Sequence, residues 1–186
     1  PRLISHLAKP FTAKEMITIG DLQVTPFFKY HDASDPHSFV INCNGISIGV
    51  LTDIGTVCEE VIHHFKQCHA VFLEANYDAT MLENGKYPIH LKNRIRGGHG
   101  HLSNKEALDL FITHRSPNLS HLLLSHLSKE NNSPEMVEAL FKQYANGITI
   151  AIAYRHRATE IFSISQGTNN HAISKVSSSL QLGLFE

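Results

Sequence analysis

The Asn44-Gly45 pair, set between two apolar runs, constrains the fold more than any other stretch. Asn-Gly accepts the positive φ angles that a two-residue hairpin turn demands. Ser38 to Cys43 and Ile46 to Leu51 therefore read as antiparallel strands. Ile46, Ile48, Val50 and Leu51 give the second strand the β-branched character of a half-buried or buried element. That strand runs out into Leu51-Thr52-Asp53-Ile54-Gly55, which sets a carboxylate at a strand end ahead of a sharp turn. A rigid strand holds such a residue while the following loop leaves it open, so strand ends suit chemistry. Read alone, Asp53 is more simply an N-cap or turn former before the segment that starts at Thr56.

Other segments extend the pattern. Met16 to Ile19, a Gly20-Asp21 turn and Gln23 to Tyr30 form a second hairpin anchored by Val24, Phe27 and Phe28. His31-Asp32-Ala33-Ser34-Asp35-Pro36 is a polar loop. Thr56 to Lys66 has helical spacing, with Val57, Val61, Ile62 and Phe65 on one face. Ala70 to Leu73 is a short strand ending at Glu74, and Asp78 to Asn84 a short helix closed by Gly85. Tyr87 to Arg96 is basic and mixed, followed by the glycine-rich Gly97-Gly98-His99-Gly100-His101. Ser103 and Glu106 form a capping box for a helix through Thr113. His121 to Ser125 is a buried strand, Ser133-Pro134 opens a last helix, and Gly147 to Ala153 and Glu160 to Ile164 are closing strands. Two hairpins followed by strand–helix alternation describe an α/β sandwich with mixed sheets. One domain spans 1–164, and 165–186 is a Ser-, Asn- and Gln-rich tail.

With 186 residues the chain is long enough for one real core. Seventeen acidic against 16 basic residues give no global field for nucleic acid or membrane. No apolar run approaches the roughly 18 residues of a membrane span. Three cysteines, Cys43, Cys58 and Cys68, form no CxxC pair, which points to a reduced, cytoplasmic setting and against a thiolate zinc site. Fourteen histidines are the unusual number, because imidazole is both a common metal ligand and an acid–base group.

His31, Asp53 and His126 each lie just past a predicted strand, where a sheet can bring them together. Such a set suits zinc or manganese, with the carboxylate able to bridge two ions; three unrelated polar residues at loop starts are the plain alternative. Lys92, Arg94 and Arg96 can meet backbone phosphates beside a chain thinned by glycines, or form a solvated basic face. Ser103 and Asn104 at a helix start can bind an anion through backbone N–H groups, or simply cap it.

In order and spacing, several stretches resemble the later part of the metallo-β-lactamase fold, in its YycJ-type (WalJ) branch, a relative of the ribonuclease Z group. They are His31 to Pro36, Leu51 to Gly55, Leu73-Glu74-Ala75-Asn76-Tyr77-Asp78, Met81-Leu82, Tyr87-Pro88, Leu91 to Ile95, Gly100-His101-Leu102-Ser103-Asn104 and Ser125-His126-Leu127-Ser128. The resemblance implies an αββα sandwich, of which this chain carries the C-terminal two-thirds. It implies that His31 ligates a first metal ion, His126 a second, and Asp53 both. It implies that His101, oriented by Glu74, protonates the leaving oxygen of a phosphodiester attacked by metal-activated hydroxide. The substrate so implied is DNA or RNA. A thioester, lactone or lactam hydrolase of the same fold is the rival enzyme, and a non-catalytic module the rival of another class.

The His-x-His-x-Asp-His signature of that fold is absent. The His-x-His of His99-Gly100-His101 is followed by Ser103 and Asn104 where the signature needs Asp and His, so His99 is not such a ligand. His63 and His64 point about 100° apart on a helix and make no site. The chain opens on Pro1, and the expectation is that roughly the first third of the fold lies outside it. Each ion then keeps one histidine and shared Asp53, so metal affinity and turnover of this polypeptide are expected to be low. His37 and His90 are candidates to line the cleft; His6, His63, His64, His69, His114, His121, His156 and His171 are read as surface or packing residues.

Overall fold

The apolar runs pair into one seven-stranded mixed sheet whose spatial order follows the sequence, β1 to β7, in a computed structural model that describes residues 10–166. The strands are β1 Ile17–Ile19, β2 Leu22–Phe28, β3 His37–Cys43, β4 Ile46–Leu51, β5 Ala70–Glu74, β6 His121–Ser125 and β7 Thr149–Ile152. Both hairpins form as read: β1–β2 through Gly20-Asp21, and β3–β4 through Asn44 and Gly45, with φ of 48° and 76°. From β4 onward all neighbours are parallel. Parallel strands need crossovers, and helices supply them. These are α1 Glu59–Phe65, the trio α2 Ala79–Asn84, α3 Ile89–Arg96 and α4 Asn104–His114, and finally α5 Pro134–Lys142.

Strand direction decides where chemistry can gather. Because β3 runs antiparallel to both β2 and β4, those two run the same way. Strands β2, β4, β5, β6 and β7 therefore all end on one edge of the sheet. One face of that sheet carries Val71, Leu73, Leu122 and Leu124, none of them exposed, with Leu51 and Ile152 in register. Val61 and Phe65 of α1, Phe111 of α4 and Val137 and Phe141 of α5 close over it in a single core. Each such fully buried side chain contributes about 1.5–3 kcal/mol relative to exposure. The core thus clamps the strand ends without using any polar group at that edge.

Several local expectations change. The segment Glu160 to Ile164, read as a closing strand, makes no strand pairing among the described residues. Instead Phe162 lies against the His121 ring, with centroids 5.3 Å apart, and Gln166 reaches Gly45, so the segment crosses the sheet instead of extending its edge. Thr56 to Cys58 is not helical: Thr56 bridges to Tyr30, and α1 starts only after Cys58. The mixed basic run Tyr87 to Arg96 contains a helix, α3, whose buried Ile95 joins Tyr77 and Leu82 in a small second cluster. The capping readings hold: Asp78 accepts from the Met81 N–H, Ser103 and Glu106 form the reciprocal box, and Ser133 accepts from the Met136 N–H. Most of the 165–186 tail, with His6 and His171, lies outside the described residues.

Candidate metal centre and cleft

Five of the residues expected from the sequence meet at the common edge. His31 follows β2, Asp53 follows β4, Glu74 ends β5, His126 follows β6, and His101 comes from the loop between α3 and α4. Asp53 sits between two imidazoles: its Oδ1 is 3.7 Å from His31 Nε2 and 3.4 Å from His126 Nδ1. The His101 ring lies between the same two, with centroids 5.2 Å from His31 and 5.1 Å from His126.

Glu74 organises this group from below. Its carboxylate is fully buried. Oε1 accepts from His101 Nδ1 at 2.7 Å and from His126 Nδ1 at 2.8 Å; Oε2 accepts from the Ile54 N–H at 2.6 Å. Burial pushes the Glu74 carboxyl up, but the hydrogen bonds from His101 and His126, the His101 charge and the Ile54 N–H outweigh it and hold the group below its ordinary value. In return the Glu74 bond raises His126, against the cost of its burial and with help from the Glu74 and Asp53 charges. Because a carboxylate only accepts, both rings must present protonated Nδ1 to it, which turns His101 Nε2 away towards the cleft. His31 is fixed by a different acceptor: its Nδ1 donates to the Gly100 carbonyl at 2.8 Å, leaving Nε2 facing Asp32 and Asp53.

Two of these side chains sit on left-handed backbone, Asp53 at φ 54° and His126 at φ 56°. Such conformations cost a non-glycine residue on the order of 1 kcal/mol and persist where surroundings impose them. For Asp53 the Tyr30 carbonyl accepts from the Gly55 N–H at 2.6 Å, while Lys29 Nζ donates to the Thr52 carbonyl. A Cβ on Gly55 would stand 2.4 Å from the Gly98 carbonyl oxygen, so this turn packs directly against the glycine-rich loop. For His126 the backbone carbonyl accepts from Asn76 Nδ2 at 2.7 Å.

Sequence reasoning passed over Lys29, which is only 6 % exposed and whose ammonium burial drives its pKa down, partly offset by Asp53 and Glu74. The signal was available: Lys29 follows Phe27 on the inward alternation of β2, an unusual place for a lysine. It also passed over a buried amide network. Asn132 Nδ2 donates to the carbonyls of Ala75 and Asn76 and to Asn104 Oδ1, and Asn104 Nδ2 returns a bond to Asn132 Oδ1. Nothing in spacing marks three asparagines as partners across three loops.

The expected substrate-side residues are placed differently. Ser103 spends its hydroxyl and N–H on the Glu106 carboxylate, and Asn104 is buried in the amide network. Lys92 donates to the Glu83 carbonyl, and Arg94 pairs with Asp32, whose carboxyl that guanidinium holds below its usual range. Arg94 remains at the rim of a cleft of about 310 Å³ that opens beside His101 and His126; neither His37 nor His90 lines it.

Among the described residues, Asp53, Glu74, His101 and His126 each have a donor atom within 4.8 Å of the others. The Glu74 oxygens already accept three N–H groups. His31 faces Asp53 as well, so one carboxylate lies between two imidazoles, donor chemistry that fits a borderline divalent ion. His126 turns the same nitrogen, Nδ1, to both carboxylates and donates it to Glu74, so ligation through that atom displaces its proton.

The fold is matched in solved structures. The metallo-β-lactamase fold protein YhfI from Bacillus subtilis superposes with a TM-score of 0.55 at 16% identity, over 77% of this chain and 51% of that one. This chain has the metallo-β-lactamase fold. In sequence it is 31% identical over 133 residues to exodeoxyribonuclease YycJ of Bacillus anthracis, covering 72% of this chain and 50% of the relative. It is 34% identical over 119 residues to exodeoxyribonuclease WalJ of Streptococcus pneumoniae, covering 64% and 44%. This metallo-β-lactamase-fold chain thus spans about half the length of the curated relatives it matches. No protein-family model matches it.

Proposed function

We propose that this polypeptide carries a catalytic edge of a metal-dependent phosphodiesterase of nuclease type, acting on DNA in a reduced, cytoplasmic setting. The observation that carries the reading is the position of Asp53 between His31 and His126, with Glu74 bonding both His126 and His101. The relatives named exodeoxyribonucleases support a DNA substrate.

In this reading His31, Asp53 and His126 hold two divalent ions, zinc or manganese. When bound, such ions lower the pKa of water and steady the charge of an in-line displacement. The chain's own residues do the rest. His101 keeps a proton on Nε2 and delivers it to the departing oxygen, while Glu74 at Nδ1 holds the ring in place and faces the imidazolium with a negative charge. Arg94 and Asp32 line the cleft, and Asp32 stands 3.5 Å from His31 Nε2.

The test combines metal binding with turnover. Manganese binding read by electron paramagnetic resonance is expected to be weak, because each ion has two protein ligands among the described residues. It is expected to vanish in Asp53→Asn. At millimolar manganese, slow hydrolysis of bis-p-nitrophenyl phosphate should accompany it and fall by about 10²-fold or more in His101→Ala. Binding that is indifferent to Asp53→Asn, or turnover of nitrocefin or a thioester in place of the phosphodiester, overturns the reading.

A further inference from the structure

The cations named by sequence pattern are not the ones available to a substrate. Lys92 Nζ donates to the Glu83 carbonyl, Arg96 to the Glu83 carboxylate at 2.6 Å, and Arg94 to Asp32. Helix α3 thus spends its positive charge on its own neighbourhood. Two other cations line the cleft, Lys129 and Arg155. Both are exposed, and neither forms an ion pair among the described residues. Lys129 lies three residues past His126, beyond β6, and Arg155 three residues past the end of β7. Since β6 and β7 are adjacent and parallel, the two side chains stand on the flank of the cleft away from His31. The same cleft has an apolar wall of Tyr87, Leu91, Ile95 and Leu127.

We infer that Lys129 and Arg155 form a phosphate subsite for the nucleotide next to the scissile bond, so that the preferred ligand is a single-stranded oligonucleotide. The inference rests on the nuclease reading of the cleft and deepens it. A side chain whose charge is already neutralised gains little by meeting a phosphate, whereas an unpaired one releases a counterion from the strand. An apolar wall with an aromatic ring beside such cations offers the sugar and base a surface without reading sequence. A diester with one phosphate reaches His101 and leaves this subsite empty.

The test is fluorescence anisotropy of a fluorescein-labelled single-stranded oligodeoxynucleotide titrated with the 186-residue chain, between 50 and 200 mM salt. Lys129→Ala and Arg155→Ala should each weaken binding severalfold. In the double variant the slope of log affinity against log salt should drop by about 1.4, near 0.7 for each single-strand phosphate that is no longer neutralised. Lys92→Ala should change neither quantity. An unchanged slope in the double variant, or a weakening in Lys92→Ala as large as in Arg155→Ala, overturns the inference. Failure of the two readings is distinguishable. Oligonucleotide binding that depends on Lys129 and Arg155 without any hydrolysis leaves the subsite standing and sinks the enzyme. Diester hydrolysis with binding indifferent to both cations does the reverse.

Discussion

Glu74 is the residue on which the site hangs, because one buried carboxylate sets the direction of two imidazoles and receives the Ile54 N–H. The signs of the shifts define a pH window in the metal-free chain. His126 is raised above its ordinary 6.5, so its contribution to stability is complete below about that pH and is lost as pH climbs through the raised folded value. Glu74 is held below its ordinary 4.5, so its contribution is complete above that pH and is lost as pH falls through the lowered value. Both are present together between 4.5 and 6.5. The stability lost in Glu74→Gln should therefore be largest in that interval and shrink on the alkaline side, measured by urea unfolding across pH. In the same variant the His126 ring, followed by NMR titration, should return towards its ordinary value.

At the scale of elements, the loops after β5 and β6 and the start of α4 are joined by the amide network below the cleft. Asn132 serves two carbonyls, the Asn104 amide and the Ser133 N–H, all in a buried setting. Asn132→Leu keeps the volume and strands those groups. A buried polar group left without a partner costs about 1–3 kcal/mol, so the variant should lose about 2 kcal/mol or more of stability, read as a lower urea midpoint at unchanged m. Because Asn76 also holds the His126 carbonyl, the same change should loosen manganese binding more than a cavity elsewhere in the core does.

For the molecule as a whole, the core reaches the site through Ile54, Ala75 and Leu102 but is itself apolar. The leucines and phenylalanines that join the sheet to α1, α4 and α5 bury apolar surface and hold no ion pair of the site. Metal should therefore be unnecessary for folding. When free ion equals its dissociation constant, binding adds only about 0.4 kcal/mol, or about 1–2 °C in melting temperature for a chain of this size. Adding EDTA is expected to shift the melting temperature by no more than that, and a collapse of the fold on chelation would show that the edge is structural. Among the described residues no helix is long and apolar enough to cross a membrane, and Cys43, Cys58 and Cys68 are free thiols, with Cys68 pushed up to about 12 by burial.

Local chemistry made much of this readable in advance. Asn44-Gly45 dictates its hairpin, Ser103 and Glu106 dictate a helix start, and the apolar runs of β5 and β6 dictate buried strands, because each rests on neighbours a few residues apart. The motif matches also nominated His31, Asp53, Glu74, His101 and His126. What no spacing could decide was how groups distant along the chain spend their bonds. Only the packed structure gives both imidazoles to Glu74, buries Lys29 under the Asp53 turn, commits Asn104 to Asn132, lays Glu160 to Ile164 across the sheet, and ties Lys92 and Arg94 to neighbours while Lys129 and Arg155 stay open to the cleft. A side chain's role is set by which partner reaches it first in three dimensions, and that order is a property of the fold.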